Sequence, residues 1–155
     1  MSNDLRTEIK QQKPFGSLEQ EAMLNIERTA AVLGHAFADA LKPFGITPTQ
    51  YNVLRILRGA GREGLCRNEV RDRLIAQVPD VTRLLDRLED AGLIERERNG
   101  DDRRLVTTRI SPAGTALLRS LDAPALAVHR RQLGHLSAQQ LRTLTELLTL
   151  ARNAP

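Results

Sequence analysis

One short segment, residues 79–90, carries basic and hydroxyl side chains in its first two turns and gathers acidic ones at its end. Once its apolar positions are set aside, the side chains that remain are Asp80, Thr82, Arg83, Asp86, Arg87, Glu89 and Asp90. Arg83 can offer its planar guanidinium to guanine O6 and N7, while Thr82 and the free N–H groups near Pro79 can hold a phosphate. This order is typical of a recognition helix, whose first turns meet the base edges of DNA.

A solvated helix face explains the same residues in a second way. Asp86 and Asp90 can pair with Arg83 and Arg87 through contacts three or four residues apart. In that interpretation the arginines serve solubility and helix stability, and they carry no information about bases. The residues of this segment alone do not decide between the two interpretations.

Two more arginines follow a turn that lies just downstream. Residues 99–102 (Asn-Gly-Asp-Asp) have turn chemistry, and Arg103 and Arg104 come directly after them. An arginine on a thin projecting loop can enter a minor groove, while the neighbouring carboxylate of Asp102 stiffens the loop by bridging. A charged, soluble turn is the alternative interpretation.

Four capping patterns predict where the helices that hold these residues begin. In each pattern a capping side chain is followed three residues later by Glu or Gln, which lets two backbone N–H groups be satisfied. The pairs are Ser17 with Gln20, Thr47 with Gln50, Cys66 with Glu69, and Ser137 with Gln140. Ser111-Pro112 is expected to begin another helix, which Pro124 should kink or break.

The spacing of the middle elements predicts a helix-turn-helix followed by a hairpin. Only residues 76–78 separate the third helical pattern from Pro79, which can open the next helix. Two short helices joined so closely favour a helix-turn-helix crossing. Residues 93–98 and 105–110 have strand character, and a hairpin of two strands needs helices to pack on, as in a winged helix-turn-helix.

Composition agrees with a small, mainly helical protein. The chain has 155 residues, of which 41% are hydrophobic and 27% charged, with one Cys and a net charge of +4. We predict a mainly α (α+β) fold with a flexible arm at residues 1–16 and a single domain at 17–155. The winged helix-turn-helix should occupy about 46–111, between dimerisation helices at 17–42 and 111–152. A chain without an 18-residue apolar run or a signal sequence is expected in the cytoplasm, away from membranes.

The long outer helices carry more apolar surface than the small central module can cover. We therefore predict a homodimer with two-fold symmetry, which would also present two recognition helices to half-sites one helical turn apart. The leucines expected at that interface are Leu117, Leu121, Leu141, Leu144 and Leu148. A monomeric helical bundle is the alternative.

Other classes of function have less support in the residues. No Gly-rich phosphate loop, activated Ser or paired His is evident, so we expect no enzyme, no cofactor and no metal site. A partner-binding structural protein, with or without DNA association, stays possible. Cys66 at a helix start also allows a redox-sensing regulator, although it can serve simply as a cap.

The string VPDVTRLLDRLEDAGLI at residues 78–94 resembles the recognition helix of the multiple antibiotic resistance regulator (MarR) family. Residues 102–104 (Asp-Arg-Arg) and 110–114 (Ile-Ser-Pro-Ala-Gly) resemble that family's wing and the start of its next helix. The resemblance implies that Arg104 enters the minor groove with support from Asp102, that Arg103 contacts the backbone, and that residues 77–83, which include Gln77, meet the major groove.

Two further expectations come from this resemblance. Positions 79 and 80 depart from the family, which often has small hydroxyl residues there, so Asp80 can cap the helix or accept a hydrogen bond from cytosine N4. The family also implies a repressor on a pseudo-palindromic operator, controlled by a small aromatic or phenolic ligand. His35 and Tyr51 are the polar aromatic residues expected near that ligand, unless both are ordinary core residues.

Overall fold

A computed structural model describes residues 4–98, 100–102 and 105–153. These ranges form helices and strands in an order that confirms the predicted winged helix-turn-helix. The helices are α1 (Leu5–Glu8), α2 (Leu18–Leu41), α3 (Pro48–Ala60), α4 (Arg67–Arg73), α5 (Val81–Asp90), α6 (Pro112–Leu133) and α7 (Ala138–Arg152), and the strands are β1 (Leu65–Cys66), β2 (Ile94–Arg98) and β3 (Val106–Ile110).

Local capping bonds begin the long helices where the sequence predicts. The Ser17 hydroxyl accepts a hydrogen bond from the Gln20 backbone N–H at 3.1 Å at the start of α2. Thr47 and Gln50 exchange two such bonds at the start of α3, and the same reciprocal pattern opens α7. Each of these starts depends on residues three positions apart, so it needs no tertiary contact.

The wing is part of a three-stranded antiparallel sheet in the order β1-β3-β2. The β2–β3 hairpin pairs Ile94 with Ile110 and Arg98 with Val106. The sequence predicts this hairpin but not β1, which adds two residues to the other edge of β3. A strand of two residues is too short to show the alternation by which strands are recognised.

The hydrophobic core joins the helix-turn-helix to one face of α6. The side chains that are at most 2% exposed include Leu41, Val53, Leu54, Leu57, Val70, Leu85, Leu88, Leu118 and Leu121. The prediction that Leu121 contacts a second subunit is therefore wrong, because it is 0% exposed inside its own subunit. Leu117, one turn away, is half-buried and packs against the same core.

Helix α6 continues through Pro124 as one element, so the predicted break does not occur. Proline removes the backbone N–H that would bond to the carbonyl four residues earlier. Leu121, three residues before the proline, and Ala125, directly after it, are both buried in the core. Their packing holds the helix together across the lost hydrogen bond.

Residues 4–16, for which the sequence predicts a flexible arm, carry local structure. The Asp4 carboxylate caps α1 by accepting from the Thr7 backbone N–H at 2.9 Å. Leu5 is only 5% exposed, and Glu8 lies 3.7 Å from Arg28 of α2. Within the predicted arm, Leu5–Glu8 therefore form a short helix that contacts α2 through Glu8.

Helices α2 and α7 leave most of their apolar side chains exposed within one subunit. All residues of both helices are described, yet α2 buries only Leu41 and α7 buries none. The exposed apolar side chains are Leu18, Met23, Ile26, Val32, Leu144, Leu147 and Leu150. Apolar surface of this extent is typical of an interface. Within the described residues, we find no helix that is both long and apolar enough to cross a membrane.

Gly114, in the first turn of α6, has no room for a side chain. A Cβ there would lie 2.2 Å from the Leu93 carbonyl oxygen and 2.8 Å from Ile110 Cγ1. We expect Gly114→Ala to lower the free energy of unfolding by about 1–3 kcal/mol, because backbone must move to admit the methyl group. Urea unfolding measures this difference.

Gly59→Ala is the matched control for this substitution. Gly59 lies inside α3, and a Cβ there meets nothing within 4 Å. Alanine should therefore stabilise the protein by roughly 0.5–1 kcal/mol. Equal effects at the two glycines would show that the close approach at Gly114 is not a constraint.

Candidate nucleic-acid interface

The helix-turn-helix consists of α4, α5 and the connecting residues 74–80. The sequence predicts a link of three residues, with Pro79 as the first helical residue. The observed link is longer, because α4 ends at Arg73 and α5 begins at Val81. Pro79 is exposed in this link and is followed by Asp80, which caps α5 in its place.

Asp80 has the first of the two roles that the sequence leaves open. Its Oδ1 accepts a hydrogen bond from the Arg83 backbone N–H at 2.9 Å, which is the geometry of a helix N-cap. The cap occupies an N–H group that a phosphate could otherwise take. The phosphate site expected near Pro79 therefore has one donor fewer than the sequence suggests.

The predicted contact residues of α5 lie at the protein surface. Arg83 and Arg87 are exposed and one helical turn apart, which separates them by about 6 Å along the axis. Thr82 is also exposed, and its hydroxyl oxygen accepts from Arg67 Nη1 at 3.1 Å. Gln77, in the link, is exposed as well. These four side chains, Gln77, Thr82, Arg83 and Arg87, are available to a ligand outside the subunit.

Arg67 is a member of this surface that the sequence analysis missed. It is the first residue of α4, directly after the Cys66 cap, and its guanidinium reaches Thr82 on α5. Its position at a helix start was the only signal available in the sequence. The packing of α4 against α5 is what brings it beside the recognition helix.

Arg96 on β2 holds two acidic side chains of α5. Its Nε lies 2.7 Å from Glu89 Oε2, and its Nη2 lies 2.6 Å from Asp86 Oδ1 and also contacts Glu89. Burial lowers the pKa of Arg96, but the hydrogen bonds to Glu89 and Asp86 outweigh it and raise the pKa above its usual value. Asp86 therefore pairs with Arg96 and not with Arg83. Within the described residues, neither Arg83 nor Arg87 forms an ion pair.

The base of the wing is anchored by Arg109 of β3. Its Nη1 lies 2.8 Å from Glu97 Oε2 on β2, and its Nε donates to the Arg62 carbonyl oxygen at 2.6 Å. These bonds tie the hairpin to the turn after α3. These contacts therefore fix the base of the wing relative to the rest of the protein.

The tip of the wing is only partly described. Asp102 is exposed, and its carbonyl oxygen accepts from the Leu105 backbone N–H at 3.0 Å. Arg103 and Arg104, the predicted backbone and minor-groove residues, lie outside the described residues. Their roles stay predictions from the sequence.

A cavity of about 550 Å³ lies between α3, α2, α6 and the helix-turn-helix link. Its lining is mostly apolar and aromatic, with a few polar groups: Phe37, Pro48, Thr49, Tyr51, Asn52, Arg55, Ile56, Ile75, Ala76 and His129. Tyr51 meets Phe37 edge to face at 5.4 Å, and the Arg55 guanidinium lies 5.9 Å from the centre of the Tyr51 ring. Tyr51 therefore lines this cavity, and it also belongs to the hydrophobic core, with 6% of its surface exposed.

His35 does not line this cavity, so its predicted place there is wrong. Its side chain is 79% exposed and lies 3.3 Å from Asp39, one turn along α2. His129 of α6 lines the cavity instead, with its ring stacked on Phe37 at 5.1 Å. The sequence shows both histidines on long helices, and only the crossing of α2 and α6 decides which of them faces α3.

Cys66 acts structurally as the residue that opens α4. Its backbone N–H donates to Glu69 Oε2 at 2.8 Å, as the capping pattern predicts. It is half-buried and lines a smaller cavity of about 260 Å³ between α5 and the sheet. The redox alternative stays untested. Among the described residues, no group of three or more His, Cys, Asp or Glu side chains could hold a metal ion.

The contact between Arg96 and Glu89 should be measurable as a coupling energy. We expect the losses in free energy of unfolding of the single variants Arg96→Gln and Glu89→Gln to add up to more than the loss of the double variant, by about 1–2 kcal/mol. Each single change leaves the other side chain without its partner. Urea unfolding of the four proteins gives this value. Arg98→Gln, which changes an exposed arginine on the same strand, should have little effect. Additive single effects would mean that the ion pair contributes nothing.

The amino-acid sequence of this chain is similar to sequences of known proteins. A sequence model of the MarR family matches residues 44–105, which cover α3, the helix-turn-helix and β2. The multiple antibiotic resistance protein MarR of Salmonella typhimurium is 35% identical over 109 residues. That alignment covers 70% of this chain and 74% of the relative.

The fold of this chain is also similar to solved structures. A MarR transcription factor from Planctomyces limnophilus is 41% identical, with a TM-score of 0.69, over 88% of this chain and 99% of that one. A mutant MarR from E. coli, solved in complex with operator DNA, is 26% identical, with a TM-score of 0.74, over 95% of this chain and 97% of that one. The chain therefore belongs to the MarR family of transcription regulators.

Proposed function

We propose that this regulator is a non-catalytic, sequence-specific DNA-binding protein that acts in the cytoplasm as a homodimer and represses transcription from a pseudo-palindromic operator. The observation that carries the proposal is the division of charge on α5. Arg83 and Arg87 are exposed, while Asp86 and Glu89 are engaged by Arg96. The likeness to a MarR protein bound to operator DNA supports the same function.

Each contact residue has a role in this proposal. Arg83 and Arg87 bind base edges in the major groove, since a guanidinium can donate two hydrogen bonds to one guanine. Thr82, whose hydroxyl proton is still available for donation, holds a phosphate with Arg67 beside it. On the wing, Arg104 enters the minor groove with support from Asp102. Arg103 contacts the backbone there.

The exposed apolar faces of α2 and α7 support the homodimer. Leu144 is 39% exposed, Leu147 59% and Leu150 71%, and a lone subunit would leave these side chains in water. Leu141 and Leu148, the other predicted interface residues on α7, are half-buried and can complete the same surface. A two-fold axis through these helices would present two copies of α5 to one face of the DNA.

Arg83→Ala tests base recognition directly. A binding site is first selected from randomised duplexes with the wild-type protein. We expect the variant to lose discrimination at one base pair in each half-site, at a cost of about 1–3 kcal/mol, because one pair of hydrogen bonds to a base is removed. Binding titrations against single-base variants of the site measure this cost, and sedimentation of the complex should show two subunits per site.

Arg142→Ala is the control for general charge, since Arg142 is exposed on α7, far along the chain from the helix-turn-helix. It should leave selectivity unchanged. If Arg83→Ala selects and binds DNA as the wild type does, the assignment of base recognition to α5 is wrong. If the wild type selects no site, or binds without a fall in affinity as salt rises, a partner-binding structural role takes its place.

The cavity beside α3 supports control by a small aromatic or phenolic ligand. Its volume is within the range of small-molecule sites, and aromatic rings line it together with a few polar groups. Arg55 and His129 provide donors at its wall. A ligand there would regulate the protein if it bound better to an arrangement of the two α5 helices that does not fit the operator.

Benzoate and phenol are suitable probes of this cavity. We expect His129→Phe, which keeps a ring to stack on Phe37 but removes the imidazole donor, to weaken binding of benzoate about tenfold. His35→Phe is the matched control and should change nothing, because His35 lies outside the cavity. Calorimetric titration measures both. Equal losses in the two variants, or none at His129, would rule out this cavity as the site of the probe.

A further inference from the structure

Helix α3 is joined to α6 by a two-pronged ion pair. Arg58 Nη1 lies 3.0 Å from Asp122 Oδ2, and Arg58 Nη2 lies 3.0 Å from Asp122 Oδ1. The hydrogen bond from Arg58 holds the pKa of Asp122 below its usual value, so the carboxylate is charged at neutral pH. Two parallel bonds between planar groups restrain rotation as well as distance. This pair therefore restrains the angle between α3 and α6.

The same helix is joined to the helix-turn-helix link by Asn52. Its Oδ1 accepts a hydrogen bond from the Ile75 backbone N–H at 2.9 Å. Ile75 lies in the link that leads from α4 into α5, and its own side chain is 91% exposed. The hydrogen bond from Ile75 to Asn52 therefore fixes the backbone at Ile75, while Leu74 and Val78 of the same link pack against the core.

The part of α3 between these two contacts is packed in the core. Val53, Leu54 and Leu57 are all 0% exposed, so the helix cannot bend or shift without disturbing the core. Asn52 and Arg58 are six residues apart, which corresponds to about 9 Å along the helix axis. α3 thus acts as a spacer of fixed length between α6 and the entrance to the recognition helix.

We propose that Asn52, Arg58 and Asp122 are positioning residues that set the separation of the two recognition helices in the dimer, and with it the spacing of DNA half-sites that the protein accepts. The inference rests on the proposed function, since it requires a dimer on a two-part operator. α6 lies on the side of the dimer helices, and α5 meets the DNA. The α3 spacer therefore couples the position of α5 to the position of α6. Loosening either contact lets α5 tilt and accept other spacings.

The experiment uses three duplexes that carry the site selected by the wild-type protein, with the distance between half-sites unchanged, shortened by one base pair or lengthened by one. We expect the wild type to prefer the selected spacing by about tenfold, or about 1.4 kcal/mol. In Asp122→Asn and in Asn52→Ala this preference should fall to about threefold or less, while affinity for a single half-site stays within about twofold of the wild type. A residue that only stabilises the fold would lower the melting temperature without changing the spacing ratio.

Two further variants make the test decisive. Arg58→Lys keeps the positive charge but cannot form the two parallel hydrogen bonds, so it should also reduce the preference for the selected spacing. It replaces Asp122→Asn in the experiment if that variant fails to fold. Glu8→Gln removes the partner of Arg28 in an ion pair between α1 and α2, and it should leave the ratio unchanged. Folded variants at both contacts that keep the full preference would overturn the inference. A wild type that selects no two-part site would overturn the proposed function instead.

Discussion

A helix that carries acidic side chains can approach DNA only if those charges are neutralised or turned away from the phosphates. Three carboxylates lie on α5 and a fourth caps it. Arg96 forms ion pairs with Asp86 and Glu89, and the Asp80 carboxylate accepts a hydrogen bond from the backbone of the first turn. Asp90 is the last residue of the helix, at the end opposite to the one that we propose to enter the groove. The exposed arginines of α5 depend on this arrangement, because carboxylates that were not engaged would neutralise them.

The molecule separates two kinds of surface that its function needs. The core beneath the helix-turn-helix is complete within one subunit, since side chains such as Leu57, Leu88 and Leu118 are fully buried there. The outer helices are incomplete, and the apolar side chains of α2 and α7 stay in water until another surface covers them. A DNA-binding unit with its own core can keep its shape while the long helices assemble with a second copy.

Helix α3 is the element at which these two parts meet. One side of it packs in the core, its Arg58 is bound to α6, and its Asn52 is bound to the link before α5. Asn52 and Ile75 also line the larger cavity. An occupant of that cavity would touch the same contact that holds the recognition helix in place. A ligand can alter DNA affinity only if it binds one position of the link more tightly than another. A ligand in this cavity can do so, because it touches the link.

The sequence by itself determined the order of the elements from α2 to α7, apart from β1, and the beginning of most of these helices, because a capping bond joins residues three positions apart, as at Thr47. It also indicated which segment could recognise DNA. Only the tertiary structure decided that Arg96 binds Glu89 across a helix and a strand, that Leu121 lies inside the subunit, and that His129 and not His35 faces the cavity. Such pairings depend on how elements cross, and the crossing results from the packing of the whole core, which no local pattern of residues records.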